Sequence, residues 1–171
     1  MNLMFGNPLL LKLKYPLQKW ENNHILRAVS TPVNLPLTEE TKEFAYSLKE
    51  LMYIYNGVWL AAPQIGKNIR IIAITLWEDK EGNLNQIWDE ILINPEIEQT
   101  SEQMSVDTEG CLSLPGIEWK VKRYKWVKVS FYDIEGKKHQ KIFYDFNARI
   151  VQHEIDHLDG ILFVDKISIE N

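Results

Sequence analysis

The sequence predicts an α+β fold with mostly antiparallel sheets, on two observations. Apolar residues recur at helical spacing in one stretch near residue 45 and another near residue 150. Between them lie short apolar or alternating segments separated by turn formers. Helix, then several strands, then helix is the order of an α+β chain, not of the βαβα alternation that builds parallel sheets. The 171 residues are expected to form one domain, 1–171, and 45% apolar with 25% charged residues is ordinary globular composition.

The first helix is announced by Pro36, with Thr38 as N-cap and Glu39 and Glu40 in the first turn, where the helix dipole favours acids. Phe44, Leu48, Leu51 and Met52 then make one face up to about Tyr55, and Gly57 is read as the C′ residue. Strand-like runs follow at 70–75, 86–93, 119–125, 126–132 and 138–143, with Asp133-Ile134-Glu135-Gly136 as a hairpin turn. The last helix is expected from Asp145, as N-cap, to Gly160, with Phe146, Ile150, Val151 and Leu158 as its apolar stripe.

Several functions are argued against at once. Leu9-Leu10-Leu11 has no basic segment before it and is cut by Lys12 and Lys14, so it lacks the shape of a signal peptide. No apolar stretch reaches the length of a membrane span, and a cytoplasmic protein without a membrane partner is expected. The net charge of −5 argues against broad nucleic-acid binding. Lys120, Lys122, Arg123, Lys125 and Lys128 alternate with apolar residues, as on a half-exposed strand, and no nucleic-acid partner is predicted.

Chemistry concentrates in three segments. His153-Glu154-Ile155-Asp156-His157 places two imidazoles four apart on one helix face, where both can close on one metal ion. Glu154 lies where a carboxylate can handle the proton of a metal-bound water, whose pKa drops from about 15.7 to about 7. Taken alone, the same residues also read as a solvated helix face. Two histidines leave a catalytic site a ligand short. The longer protease pattern holds through Gly160 and then meets Phe163 where a third histidine belongs, and Asp159, Asp165 and Glu170 are the only carboxylates downstream.

Upstream, Glu109-Gly110-Cys111-Leu112-Ser113 holds the chain's single cysteine, which excludes an internal disulfide and fits a reducing compartment. Cys111 reads either as a buried inert thiol or as a soft ligand that suits Zn2+ or Fe2+ together with two imidazoles. The segment 57–66 is small, apolar and turn-rich, with Gln64 as a neutral donor able to hold an oxyanion.

Together the three segments resemble the peptide deformylase family. Its motifs are matched in order by Gly57…Ala61-Ala62-Pro63-Gln64, by Glu109-Gly110-Cys111-Leu112-Ser113 and by Gln152-His153-Glu154-Ile155-Asp156-His157. The likeness extends outward through Ile25-Leu26-Arg27, Pro32-Val33 and Leu158-Asp159-Gly160 to Phe163. It implies a fold in which the C-terminal helix carrying the His-Glu-x-x-His motif is central and packed among the sheets. It implies an activity, removal of the formyl group from N-formylmethionyl peptides with release of formate, and the ribosome near its exit tunnel as a further partner. It implies one divalent metal ion, Fe2+ in the working form with Zn2+, Ni2+ or Co2+ able to replace it, held by Cys111, His153 and His157.

The same resemblance makes Glu154 the acid–base group, and Gln64 with the backbone N–H of Leu112 the oxyanion donors. Gly57, Val58, Trp59, Gly110, Phe146 and Ile150 are the expected substrate-binding residues. Glu109 and Arg123 resemble a family pair that braces the site, although each by itself reads as surface charge. Two positions depart from the family: Trp59 replaces a glycine, and Glu118 stands where some members carry an arginine. Two alternatives follow: a non-catalytic peptide-binding member with Trp59 across the cleft, and, less favoured, a metalloprotease.

Overall fold

The computed structural model describes residues 7–168. Its helices are α1 (Pro8–Lys14), α2 (Glu39–Ile54) and α3 (Asp145–Leu158), with short 3-10 turns at Ala62–Ile65 and Phe163–Lys166. The strands are β1 (Trp59–Ala61), β2 (Ile71–Lys80), β3 (Asn83–Thr100), β4 (Met104–Cys111), β5 (Leu114–Tyr124), β6 (Trp126–Tyr132) and β7 (Lys138–Tyr144). One sheet runs β1-β2-β3-β6-β7 and a second pairs β4 with β5, every neighbour antiparallel. The predicted class and strand order hold. Glu170 lies outside the described residues.

The five-stranded sheet is covered on both faces. Ile72, Ile74 and Leu76 of β2 pack with Ala148, Ile150, Val151, Ile155 and Leu158 of α3. Ile71 and Ala73 of the same strand pack with Phe44, Leu48, Leu51 and Met52 of α2. Alternate side chains of a strand face opposite ways, so an apolar run with both phases buried is what a strand between two helices requires. The β4–β5 hairpin leans on the other side of α3, and a third cluster joins Leu114 and Val121 to Leu26, Leu162 and Phe163. The C-terminal helix is therefore the centre of the molecule.

Three local readings of the sequence change. Helix α2 does start at the Thr38 cap, whose hydroxyl accepts from Thr41 N at 3.2 Å. Its C′ residue is Asn56, at φ 60°, and Gly57 is the next one, donating to Met52 O at 2.8 Å. Asparagine tolerates the left-handed turn because its short polar side chain does. Gly57 is needed for a different reason: a Cβ there would lie 2.7 Å from Leu112 Cδ1.

At the other helix, Asp145 is the first helical residue and no side chain caps the turn; Tyr144 occupies the cap position. The anchoring is tertiary. Asp145 N donates to Lys125 O at 2.7 Å, and Asn147 exchanges two hydrogen bonds with the backbone of Trp77. The helix α1, whose leucines 9, 10 and 13 are exposed, was not expected from the sequence. Gly160 ends α3 at φ 72°, where a Cβ would sit 2.5 Å from Arg27 O. Among the described residues no helix is long and apolar enough to cross a membrane.

Candidate metal centre

Helix α3 carries an unusual load: Arg149, Gln152, His153, Glu154, Asp156 and His157 are all buried. Burying a charge is costly unless it is paired, so each must be accounted for. Gln152 pairs with the backbone of Tyr124 in both directions, at 3.0 and 2.9 Å, and clamps the helix to β5. Arg123 of β5 grips Glu109 of β4 through Nε and Nη2, both at 2.9 Å, and also donates to Asp156 of α3. Glu109 further accepts from Arg149 Nη1 at 2.7 Å and bonds His153 Nδ1 at 2.9 Å. Burial works against the Glu109 charge, yet the bonds from Arg123 and His153 outweigh it and hold the carboxyl well below the usual carboxylate range.

Glu109 and Arg123 are thus not surface charge, as the residue types alone suggest. With 6% and 2% exposure they form the interior brace between the hairpin and α3. The bond to Glu109 fixes the His153 ring and leaves Nε2 free, the arrangement by which an outer group orients a metal ligand.

What the brace leaves open is a set of unmet donors and acceptors. His153 Nε2, His157 Nδ1 and both oxygens of Glu154 are buried and have no hydrogen-bond partner among the described residues. Cys111 Sγ lies 3.2 Å from His157 Nε2, and the ligand atoms of Cys111, His153 and His157 all fall within 4.8 Å of one another. Glu154 Oε1 stands 3.9 Å from His153 Nε2. A thiol and two imidazoles converging this closely fit one borderline or soft divalent ion.

The electrostatics agree with that fit. Burial, then the His153 ring beside it, pushes His157 well below its ordinary value, which keeps the imidazole in its neutral, ligating form. Burial and then the Glu154 carboxylate push the Cys111 thiol up to about 12. Such a thiol keeps its proton until a cation displaces it, as coordination does. Burial and then the charge on Glu109 raise Glu154 well above its ordinary value. A buried carboxylate with no partner is an expensive group, held in place by the fold around it.

Gln64 enters from the 3-10 turn after β1. Its Oε1 accepts from Ala61 N at 2.8 Å, which aims Nε2 at Cys111 Sγ (3.4 Å) and Ser113 Oγ (3.1 Å). Leu112 sits in the tight link between β4 and β5, against Gly57. Beside His153 opens a cavity of about 70 Å3 lined by Trp59, Gly110, Phe146 and Ile150, with Arg149 in its wall. Four of the six expected substrate residues therefore meet at one place. Gly57 and Val58 do not line it; Val58 spends its carbonyl on Thr75 N at 2.8 Å.

The Trp59 ring stands edge-on to Phe146, centroids 5.9 Å apart, and 6.4 Å from the His153 ring. Phe163, at the place of the absent third histidine, stacks on His153 at 6.0 Å. Larger cavities exist, one of about 650 Å3 between α1 and α2, but its lining includes no residue of the Cys-His-His cluster.

The family model for polypeptide deformylase matches residues 15–171. The chain belongs to the polypeptide deformylase family. A peptide deformylase of Streptococcus pyogenes serotype M18 is 42% identical, over 88% of this chain and 84% of its own length. One from Bradyrhizobium diazoefficiens is 41% identical, over 84% of this chain and 82% of its own. Among solved structures, the class I type b peptide deformylase of Acinetobacter baumannii with Met-Ala-Ser bound superposes with a TM-score of 0.83. It is 34% identical and covers 90% of this chain and 98% of its own.

Membership explains the spacing of the three segments, and the fold shows what the spacing achieves. Two residues were missed. Arg149 looks like one more exposed helix charge until the carbonyls it serves, Ser105 O of β4 and Val121 O of β5, are known. Asp156, inside the motif, has its role as acceptor for Arg123 and Lys166. For Arg123 a signal did exist: it shares its strand phase with buried Val121, while Lys120, Lys122 and Tyr124 point out.

Proposed function

We propose that this single-domain chain is a metal-dependent hydrolase that removes the formyl group from the N-terminal formylmethionine of newly made peptides and releases formate. The observation that carries this is the buried convergence of Cys111, His153 and His157 beside the unpartnered Glu154 carboxylate. Cys111, His153 and His157 hold the metal, and family likeness favours Fe2+, with Zn2+, Ni2+ or Co2+ as substitutes. When bound, the ion acts as a Lewis acid and makes a nucleophile available from water at neutral pH.

The rest is done by side chains. Water adds to the formyl carbon, and Glu154 takes its proton. Burial, with the charge on Glu109, raises the Glu154 carboxyl, which favours its holding the proton between the two steps. The oxyanion that forms on the formyl oxygen is held by Gln64 Nε2 and the Leu112 N–H. Gln64 must turn one donor from Cys111 or Ser113 toward the substrate to do so. The carbon–nitrogen bond then breaks, Glu154 passes the proton to the departing amine, and the formic acid that is left gives up its remaining proton to become formate. The methionine side chain enters the cavity between Trp59, Phe146 and Ile150. We further assign the protein to the cytoplasm, where Cys111 stays reduced, working near the ribosomal exit tunnel.

The test is formate release from formyl-Met-Ala-Ser under anaerobic conditions with ferrous iron. Formate is the expected product. Binding without formate would favour the non-catalytic reading, and cleavage of an internal bond the protease reading. Cys111→Ser is expected to lose most of its metal, because a hard hydroxyl replaces a thiolate. Metal content equal to the parent's would remove Cys111 from the ligand set.

A further inference from the structure

Arg149 is 6% exposed, and the chemistry above makes no use of its charge. Its guanidinium is pinned from several directions. Nη1 donates to Glu109 Oε1 at 2.7 Å and to Val121 O at 2.9 Å; Nη2 donates to Ser105 O at 3.0 Å and Ser105 Oγ at 3.3 Å. A group held by both strands of the β4–β5 hairpin cannot swing aside as an apolar side chain could.

Its position gives that rigidity a use. On one side Arg149 lines the 70 Å3 cavity beside His153. On the other it lines a second cavity of about 570 Å3, together with Trp77, Ser105, Asp107 and Tyr144. Phe146 also borders both. Arg149 and Phe146 therefore line both the small cavity at the candidate metal centre and the large one, which makes their side chains the candidates for a wall between the two.

The size of the small cavity says what it admits. A cavity of about 150 Å3 takes the six carbons of benzene, roughly 25 Å3 for each heavy atom. On that scale 70 Å3 takes about three, which matches Cγ, Sδ and Cε of methionine with Cβ at the mouth. A phenyl ring or a longer chain would have to pass through the Arg149–Phe146 wall. Resting on the deformylase reading, we propose that Arg149 is a specificity-determining residue. It is a fixed floor that limits the first side chain of the substrate to the length of methionine and shuts it out of the 570 Å3 cavity.

The experiment compares two substrates on the metal-loaded full chain, formyl-Met-Ala-Ser and its analogue with S-butyl-homocysteine in place of methionine. It also compares the affinities of the two deformylated peptides by calorimetry. The parent is expected to disfavour the longer chain by at least about tenfold, within the range that a few methylenes command in an apolar pocket. Arg149→Ala is expected to raise the long-to-Met ratio at least about tenfold, even as its rate on formyl-Met falls because Glu109 loses a donor. Arg149→Lys, which refills most of the space, is expected to stay near the parental ratio. Should Arg149→Ala not fold, Phe146→Ala opens the same wall with the Arg149 bonds intact and is expected to shift the ratio the same way. A parent that takes both chains equally, or a ratio unmoved while rates fall in every variant, overturns the proposal and leaves Arg149 as a brace for Glu109. Absence of formate from the parent would instead count against the deformylase reading, and the affinity ratios would then decide the floor by themselves.

Discussion

Helices α2 and α3 flank the same sheet and solve opposite problems. In α2 the apolar face, Phe44, Leu48, Leu51 and Met52, goes inward and the charges Glu39, Glu40 and Glu43 stay outside. In α3 the apolar stripe also goes inward, against β2, but the polar face is buried as well, against the β4–β5 hairpin. The first helix is held by burial of apolar surface; the second carries six buried polar side chains that must find partners. Where they find them, at Arg149, Gln152 and Asp156, the last through Arg123 of β5, the result is a brace. Where they do not, at His153 Nε2 and both oxygens of Glu154, the open groups face the candidate site beside Cys111 Sγ and His157 Nε2. Satisfied and unsatisfied polar groups on one helix thus divide scaffold from chemistry.

That division is broken most severely at Glu154. Glu154→Ala is expected to lower turnover by on the order of 10²–10⁴-fold, the usual share of general acid–base catalysis, while metal content stays at the parental level. Because the removed carboxylate is buried and unpartnered, thermal stability of the variant should equal or exceed the parent's. Turnover within twofold of the parent would mean that another group moves the proton.

Arg123 lies on the other side of the division. Arg123→Ala strips Glu109 and Asp156 of their shared partner and leaves two carboxylates in the interior. Breaking a buried ion pair in this way costs about 3–5 kcal/mol, measurable as a shift of the urea midpoint. A loss below about 1 kcal/mol would show that the cluster relaxes into contact with water, and the brace would have to be reassigned.

The contrast also explains what could be read before the fold was known. Helix α2 was legible almost to its cap, because propensity, capping and apolar period agree there. The metal motif was legible because its chemistry needs fixed spacing on one helix. In the buried charge cluster the Glu109–Arg123 pair was legible only through the family resemblance, and Arg149 not at all, since the members are far apart in sequence and charged residues ordinarily face water. The tertiary anchors at the start of α3 were hidden for a related reason: Asp145 resembles a cap, yet the turn is held by Lys125 O and the Trp77 backbone from other elements. Similarly, β4 escaped notice because its exposed middle, Val106, Asp107 and Thr108, has no apolar alternation.

Trp59 tests the border between the two regions. Its ring packs against Phe146 on the apolar side and faces His153 on the polar side. Trp59→Gly removes one wall of the 70 Å3 cavity and is expected to change kcat/KM for formyl-Met peptides by at least about fivefold, about 1 kcal/mol. Unchanged kinetics with a lower Tm would make Trp59 a packing residue only.

The smallest effect is expected where a charge pair is left half in water. Arg27 and Asp165 meet at 2.5 Å with side chains 33% and 38% exposed, and Asp165 also accepts from Leu162 N at 2.8 Å. Burial pushes the Asp165 carboxyl up, but the bond from Arg27 outweighs it and holds the carboxyl below its ordinary value. A lowered folded value means that the unfolded chain takes up the proton first as the solution is acidified. The stability contributed is therefore fully present above about pH 4 and is lost as pH falls through the folded value. Asp165→Asn should cost about 0.2–1 kcal/mol at neutral pH, as exposed pairs do, against several for Arg123→Ala. Urea unfolding of parent and variant at pH 7 and near pH 3 is the measurement, and the difference should shrink at the acid end. A difference that stays the same at both would show that the charge on Asp165 does not carry the effect, since an amide oxygen keeps the Leu162 hydrogen bond in the variant.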